Sequence, residues 1–216
     1  GIHTDVQTML HESGHALHAF ARHGEKIAEY NDPPSEVCEL ASMSMELFTL
    51  DMLDEFYEDG EDIRRAKREQ LEDMLAIFPI VAAVDAIQHW IYLNSEHSWE
   101  ERDGEFARLK GRFDAGVDWT GLEREKSCVW LKTLHIFEVP FYYIEYAIAQ
   151  LGAIALYRQY KEDPRRAVAD YKAFMRLGYG KSVPEIYAAA GIRFDFSKGY
   201  LKEMVDFVMK ELESLD

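Results

Sequence analysis

The segment His11-Glu12-Ser13-Gly14-His15 places two imidazoles and a carboxylate within two helical turns. Residues four apart share a helix face, so His11 and His15 can grip one metal ion while Glu12 reaches a water bound to it. This H-E-x-x-H arrangement suits metal-assisted hydrolysis, in which the ion acidifies the water and Glu12 takes its proton as general base. A catalytic zinc ordinarily has three protein ligands and one open position, so the two histidines need a partner from elsewhere in the chain.

The helix that must carry the motif is predicted over residues 4 to 23. Thr4 and Gln7 have the spacing of a capping box, and Val6, Met9, Leu10, Leu17 and Phe20 recur at helical intervals. Gly14 inside that helix costs about 1 kcal/mol relative to Ala, which points to close approach of another backbone or of a substrate. After the turn-like Asn31-Asp32-Pro33-Pro34, Ser35 is suited to cap a second helix. On it Glu36, Glu39, Met43 and Glu46 fall at spacings of three, four and three along one stripe. A solvated acidic face is the plain reading of such a stripe. Cys38, Leu40, Ala41, Met45, Leu47 and Phe48, however, make the helix apolar around most of its circumference, so some of the acids are expected to be buried. A buried carboxylate needs a partner, and a metal with its histidine ligands is a suitable one.

A second group of polar side chains runs through His135-Ile136-Phe137-Glu138-Val139-Pro140-Phe141-Tyr142-Tyr143-Ile144-Glu145-Tyr146-Ala147. Pro140 suits the first turn of a new helix, on which Tyr143 and Tyr146 share a face and Tyr142 points about 100° away from Tyr143. Two readings stay open on these residues alone: ordinary aromatic packing, or hydrogen-bond donors for a tetrahedral intermediate.

The stretch from His11 to His18, followed by Pro34-Ser35-Glu36-Val37-Cys38-Glu39-Leu40-Ala41-Ser42-Met43-Ser44-Met45-Glu46, resembles the thimet oligopeptidase and neurolysin family of zinc metallopeptidases, in particular its oligoendopeptidase F branch. The resemblance implies an all-α, zincin-like helical catalytic domain holding one zinc ion per chain and hydrolysing short peptides. It implies Glu39, 28 residues after His11, as the third ligand, with Glu36 and Glu46 as candidates for orienting His11 or His15. It also favours a substrate-binding and oxyanion role for His135, Tyr143 and Tyr146, with Tyr142 the weaker candidate. Glu, His and His suit zinc, and cobalt or manganese fit the same ligands.

The remaining histidines, His3, His18, His23, His89 and His97, are read as packed or exposed. Two cysteines far apart, Cys38 and Cys128, favour a reduced, intracellular protein over a disulfide scaffold. With 24 basic and 40 acidic residues the net charge is −16, which disfavours nucleic acid and anionic membranes as partners and favours cationic peptides weakly. No secretory signal is evident, and no apolar run reaches the roughly 18 residues of a membrane span, so a cytoplasmic location is expected.

At 216 residues and 48% hydrophobic, the chain is expected to form one compact unit over residues 1–216. Further helices are predicted near 61–95, 98–115, 121–136, 140–161, 164–177, 183–190 and 197–213, with residues 192–196 extended. The loop Gly178-Tyr179-Gly180 reads as a helix-ending turn or as a segment in which Tyr179 contacts substrate. Members of the resembled family are much longer, and this chain begins at Gly1 without an initiator Met. It is therefore expected to be a C-terminal catalytic portion that self-associates or pairs with a missing N-terminal portion. Two other classes share part of this pattern. A di-iron bundle needs two Glu-x-x-His motifs, and only Glu12 to His15 fits. The alternative is a non-catalytic helical peptide-binding domain that keeps a structural metal site.

Overall fold

Proline and glycine placement decides where the elements begin in this chain, and apolar periodicity decides which faces they bury. A computed structural model describes residues 2–113 and 116–216. Among the described residues there are ten α-helices and no strand: α1 His3–Ala21, α2 Ser35–Phe48, α3 Gly60–Leu93, α4 Trp99–Phe113, α5 Glu123–Cys128, α6 His135–Glu138, α7 Ile144–Glu162, α8 Pro164–Met175, α9 Val183–Ala189 and α10 Lys198–Glu213. Short 3₁₀ turns cover Ala28–Asn31, Leu50–Glu55 and Val129–Lys132. The predicted all-α class is the observed one. The last two residues of the predicted 98–115 helix lie outside the described residues.

The contacts divide the chain into two compact units, Gly1–Leu75 with Ile148–Asp216, and Ala76–Ala147. In the first, α2 is the central element. Val37, Leu40, Ala41, Leu47 and Phe48 are buried, with Leu40 and Ala41 at 0% exposure. Truncating a leucine at such a site costs about 2–5 kcal/mol through lost burial and the cavity left behind. Tyr171 of α8 donates its hydroxyl to the Ala41 carbonyl at 2.7 Å, so α8 is tied to α2 as well as packed on it. Cap residues fix the later helices: Asp163 accepts the Arg166 N–H at 3.1 Å ahead of Pro164, and Ser197 accepts the Tyr200 N–H at 3.3 Å.

In the second unit, Ala83, Val84, Ile87, Phe106, Leu109, Trp130 and Ile136 form the apolar core. The Trp130 indole N–H donates to Asp103 Oδ1 at 2.8 Å, satisfying the ring's one polar atom.

Several predicted details are corrected. Thr4 and Gln7 do not cap α1; instead the Ile2 N–H donates to Asp5 Oδ2 at 2.8 Å, two residues before the expected register. Ser35 is the first residue of α2, not its cap, because Pro34 occupies that position with extended backbone (ψ 148°). The single helix predicted over 121–136 breaks into α5, a 3₁₀ turn and α6. The helix expected from Pro140 begins only at Ile144. Finally, α3 is long and apolar enough, by length and composition, to cross a membrane, which the sequence reading missed. In the most apolar 18-residue window of this helix 33% is buried inside the protein, and Met74, Val81, Val84 and Ile87, each at most 3% exposed, contribute their side chains to the core.

Candidate metal centre

Helix α1 presents His11 and His15 on one face, and α2 runs against it closely enough to bring a carboxylate between them. Gly14 makes this approach possible: a Cβ there would lie 2.5 Å from the Ser42 Cα and 2.9 Å from the Ala41 carbonyl oxygen. The close neighbour anticipated from the sequence is therefore the α2 backbone. With the helices so near, His11 Nε2 and His15 Nε2 lie 3.2 Å apart, and Glu39 Oε2 lies 3.4 Å from the first and 3.8 Å from the second. Ligands about 2.0–2.1 Å from a tetrahedral ion are separated by roughly 3.3 Å, so the three atoms have spacings suited to one zinc. Their chemistry fits too, since two neutral imidazoles and a carboxylate are a standard zinc donor set.

Glu39 is 7% exposed, and its chemistry is set by what surrounds it. Burial favours the neutral acid, but hydrogen bonding and charge from His11, with His15 and Ser42, outweigh it and hold the carboxyl below its ordinary pKa. His11 shows the complementary effect. Burial disfavours its cationic form, yet Glu39 and Glu46 together push its pKa up to about 10. Two anions thus converge on this imidazole, and they favour positive charge at the point where His11, His15 and Glu39 meet.

Glu46 holds His11 from behind: the Nδ1–H donates to Glu46 Oε1 at 2.6 Å, which leaves Nε2 facing the other two ligand atoms. Gln70 of α3 donates Nε2–H to the other oxygen, Glu46 Oε2, at 2.8 Å, and receives a hydrogen bond from Gln7 on α1. Neither Gln7 nor Gln70 was a candidate on sequence, because nothing in the spacing of residues 7, 46 and 70 signals contact. Glu12 is exposed on α1 beside the cluster, accessible to solvent water. Glu36 is half-buried and makes no hydrogen bond to His11 or His15 among the described residues. His18 is 2% exposed with its ring edge-on to Phe174, and burial with the charges of Arg22 and His15 holds its pKa down to about 3. Burial raises the Cys38 thiol to about 11, so the cysteine next to Glu39 stays protonated and unreactive. Tyr179 is 54% exposed on the turn after α8, where its N–H donates to the Tyr30 carbonyl at 2.9 Å.

In the second unit, His135, Tyr142, Tyr143 and Tyr146 form one ring cluster. His135 stacks on Tyr142 with centroids 5.6 Å apart and planes 4° from parallel, and meets Tyr143 at 5.1 Å and Tyr146 at 5.6 Å. The Tyr146 hydroxyl is 3.3 Å from His135 Nε2. Tyr142 joins because residues 139–142 form a turn in place of the expected helix, so the 100° separation from Tyr143 does not apply. The Tyr142 N–H donates to the Val139 carbonyl at 3.1 Å, and Phe141 has φ 65°. That left-handed conformation is costly for a phenylalanine, and the turn is held by the Phe141 N–H donating to Oε1 of buried Gln88 at 2.7 Å. Burial raises the Tyr143 pKa, which keeps its phenol protonated and able to donate.

The model of peptidase family M3 matches residues 2–206. The chain belongs to this family. Among M3-like relatives, an oligoendopeptidase F homolog of Borreliella burgdorferi is 28% identical over 183 residues, covering 82% of this chain and 30% of its own length. The solved structure of PZ peptidase A with an inhibitor superposes with a TM-score of 0.93 at 31% identity, covering 99% of this chain and 38% of the other. Oligoendopeptidase-F from Enterococcus faecium, at 18% identity and a TM-score of 0.71, shares the fold over 98% of this chain and 39% of its own. The M3 chain described here therefore spans about a third of the length of these relatives.

Proposed function

We propose that this chain carries the catalytic residues of a zinc-dependent endopeptidase acting on short peptides, with His11, His15 and Glu39 holding the ion. The observation that carries this reading is the convergence of those three ligand atoms within 4.8 Å of one another, with Glu12 exposed beside them. A zinc ion held by these residues would supply Lewis acidity, lowering the pKa of a water and polarising a peptide carbonyl. Glu12, one residue along from His11 and not a ligand, accepts the proton of the attacking water at its carboxylate and passes it to the leaving amine nitrogen. Glu46 keeps the His11 proton on Nδ1, so Nε2 stays available as a ligand. His135, Tyr143 and Tyr146 have donors suited to the oxyanion of the tetrahedral intermediate, while Tyr142 stacked on His135 fixes the plane of the imidazole. Glu36, which hydrogen-bonds to neither histidine, and Tyr179, exposed on its turn, are proposed only as contacts to the peptide. The ordinary substrate is a short peptide, in keeping with the oligoendopeptidase relatives.

The test is Glu12→Gln, assayed for peptide hydrolysis alongside metal content. Because Glu12 handles protons and does not bind the ion, the variant should lose turnover by about 10²-fold or more with zinc retained. An active variant, or one that loses its zinc, contradicts this assignment.

A further inference from the structure

Gln70 is 8% exposed on α3 and touches neither histidine, yet it closes a ring of hydrogen bonds through three helices. Gln7 and His11 lie four residues apart on one face of α1. From Gln7 the ring passes through Gln70 to Glu46 of α2 and returns to α1 at His11, by way of the 2.8 Å bond to Glu46 Oε2 and the 2.6 Å bond from His11 Nδ1 to Oε1. The direction of every bond is dictated by chemistry. A carboxylate oxygen accepts, so the group of Gln70 facing Glu46 Oε2 is the amide NH₂. The Gln70 carbonyl then faces Gln7, which must present its own NH₂. Both oxygens of Glu46 are thereby assigned, one to a neutral donor and one to the imidazole N–H, and the carboxylate has one orientation left.

We infer that Gln70 is a positioning residue for the metal centre: by donating to Glu46 Oε2 it fixes the carboxylate that sets the tautomer and rotation of His11. This rests on the zinc reading above and goes beyond it, since Gln70 lies two residues removed from the ion. Without the donor, Glu46 Oε2 loses its partner and the carboxylate is free to rotate away from His11 Nδ1. Outer partners of metal ligands act on affinity by about 10–100-fold when lost, and a residue one step further out should act at the lower end of that range.

The experiment is a charge swap read as zinc affinity by chelator competition, with the visible spectrum of the cobalt-substituted protein as a report on ligand geometry. Gln70→Glu sets two carboxylates against each other and should weaken zinc about tenfold while shifting the cobalt bands. Glu46→Gln alone should also weaken zinc. The double variant E46Q/Q70E restores a full set of donors and acceptors: Gln at 46 accepts from His11 and donates to Glu at 70, which also accepts from Gln7. It should bind zinc more tightly than either single variant and recover the wild-type cobalt spectrum. Glu and Gln have the same size, so a packing role predicts no such recovery. Equal zinc affinity in wild type and Gln70→Glu, or a double variant no tighter than the better single, overturns the inference and leaves the zinc site standing. A wild-type chain that binds no zinc overturns both. Should Gln70→Glu fail to fold, Gln70→Met removes the whole amide, the donor to Glu46 and the acceptor for Gln7 alike, without adding a charge, and it should release zinc several-fold faster than wild type or the inference fails.

Discussion

His18 shows how much a single side chain can reveal once its surroundings are known. It lies one turn beyond His15 and could have passed for a ligand, but it is 2% exposed and its Nε2 has no hydrogen-bond partner among the described residues. An imidazole in that setting must stay neutral, and its pKa falls from 6.5 to about 3. The unfolded chain takes up this proton near pH 6.5 while the folded chain resists it, so the stability contribution is present above pH 6.5 and is lost as pH falls towards 3. At pH 5 the loss amounts to about 2 kcal/mol. Denaturant titrations at pH 7.5 and pH 5, run in chelator so that zinc release does not contribute, should show a smaller acid sensitivity in His18→Leu than in wild type. Equal sensitivity in the two proteins would mean that His18 is not held neutral. Of the proposed metal centre, His11, Glu12 and His15 were legible because they are local, whereas the acidic stripe on α2 offered Glu36, Glu39 and Glu46 alike and the family resemblance singled out Glu39. Gln7 and Gln70 were not legible, since residues 7, 46 and 70 meet only through tertiary packing.

At the scale of elements, the contact between α1 and α2 carries the site. Gly14 allows it, and Gly14→Ala tests it. The added methyl would collide with α2 backbone, 2.5 Å from the Ser42 Cα, and backbone cannot swing aside as a side chain can. Overpacking of this kind costs about 1–3 kcal/mol, against which the better helix propensity of Ala returns at most about 1 kcal/mol. The variant should melt at a lower temperature and hold zinc more weakly, because His11 and His15 move away from Glu39. Unchanged thermal and zinc-binding midpoints would show that α1 and α2 can separate without cost to the site. Both helices were legible in the sequence, α1 from its apolar period and α2 from the Pro33-Pro34 break before it. The stretch before α7 was not. Pro140 is compatible with a helix start and with a tight turn, and the choice between them is made by Gln88, 53 residues away in sequence, accepting the Phe141 N–H. The same distance effect hid the ring cluster, in which Tyr142 stacks on His135 only because the turn reverses the chain.

At the scale of the whole molecule, the chain has a net charge of −16 and spans 30% and 38% of two of its longer relatives. For the peptidase activity proposed above, a negative field attracts cationic peptides over several ångströms, and salt screens that attraction over a Debye length of about 8 Å at physiological ionic strength. For a peptide flanked by lysines, KM should be lower than for the same peptide flanked by glutamates, and the difference should shrink between 50 mM and about 500 mM salt. A salt-independent ratio would place the preference in local pockets and not in the overall field. The central claim, that His11, His15 and Glu39 form one zinc site, needs no substrate to be tested. Elemental analysis of the purified chain beside Glu39→Gln should find about one zinc per wild-type chain and little or none in the variant. Full zinc occupancy in Glu39→Gln, or two irons in wild type, would contradict it.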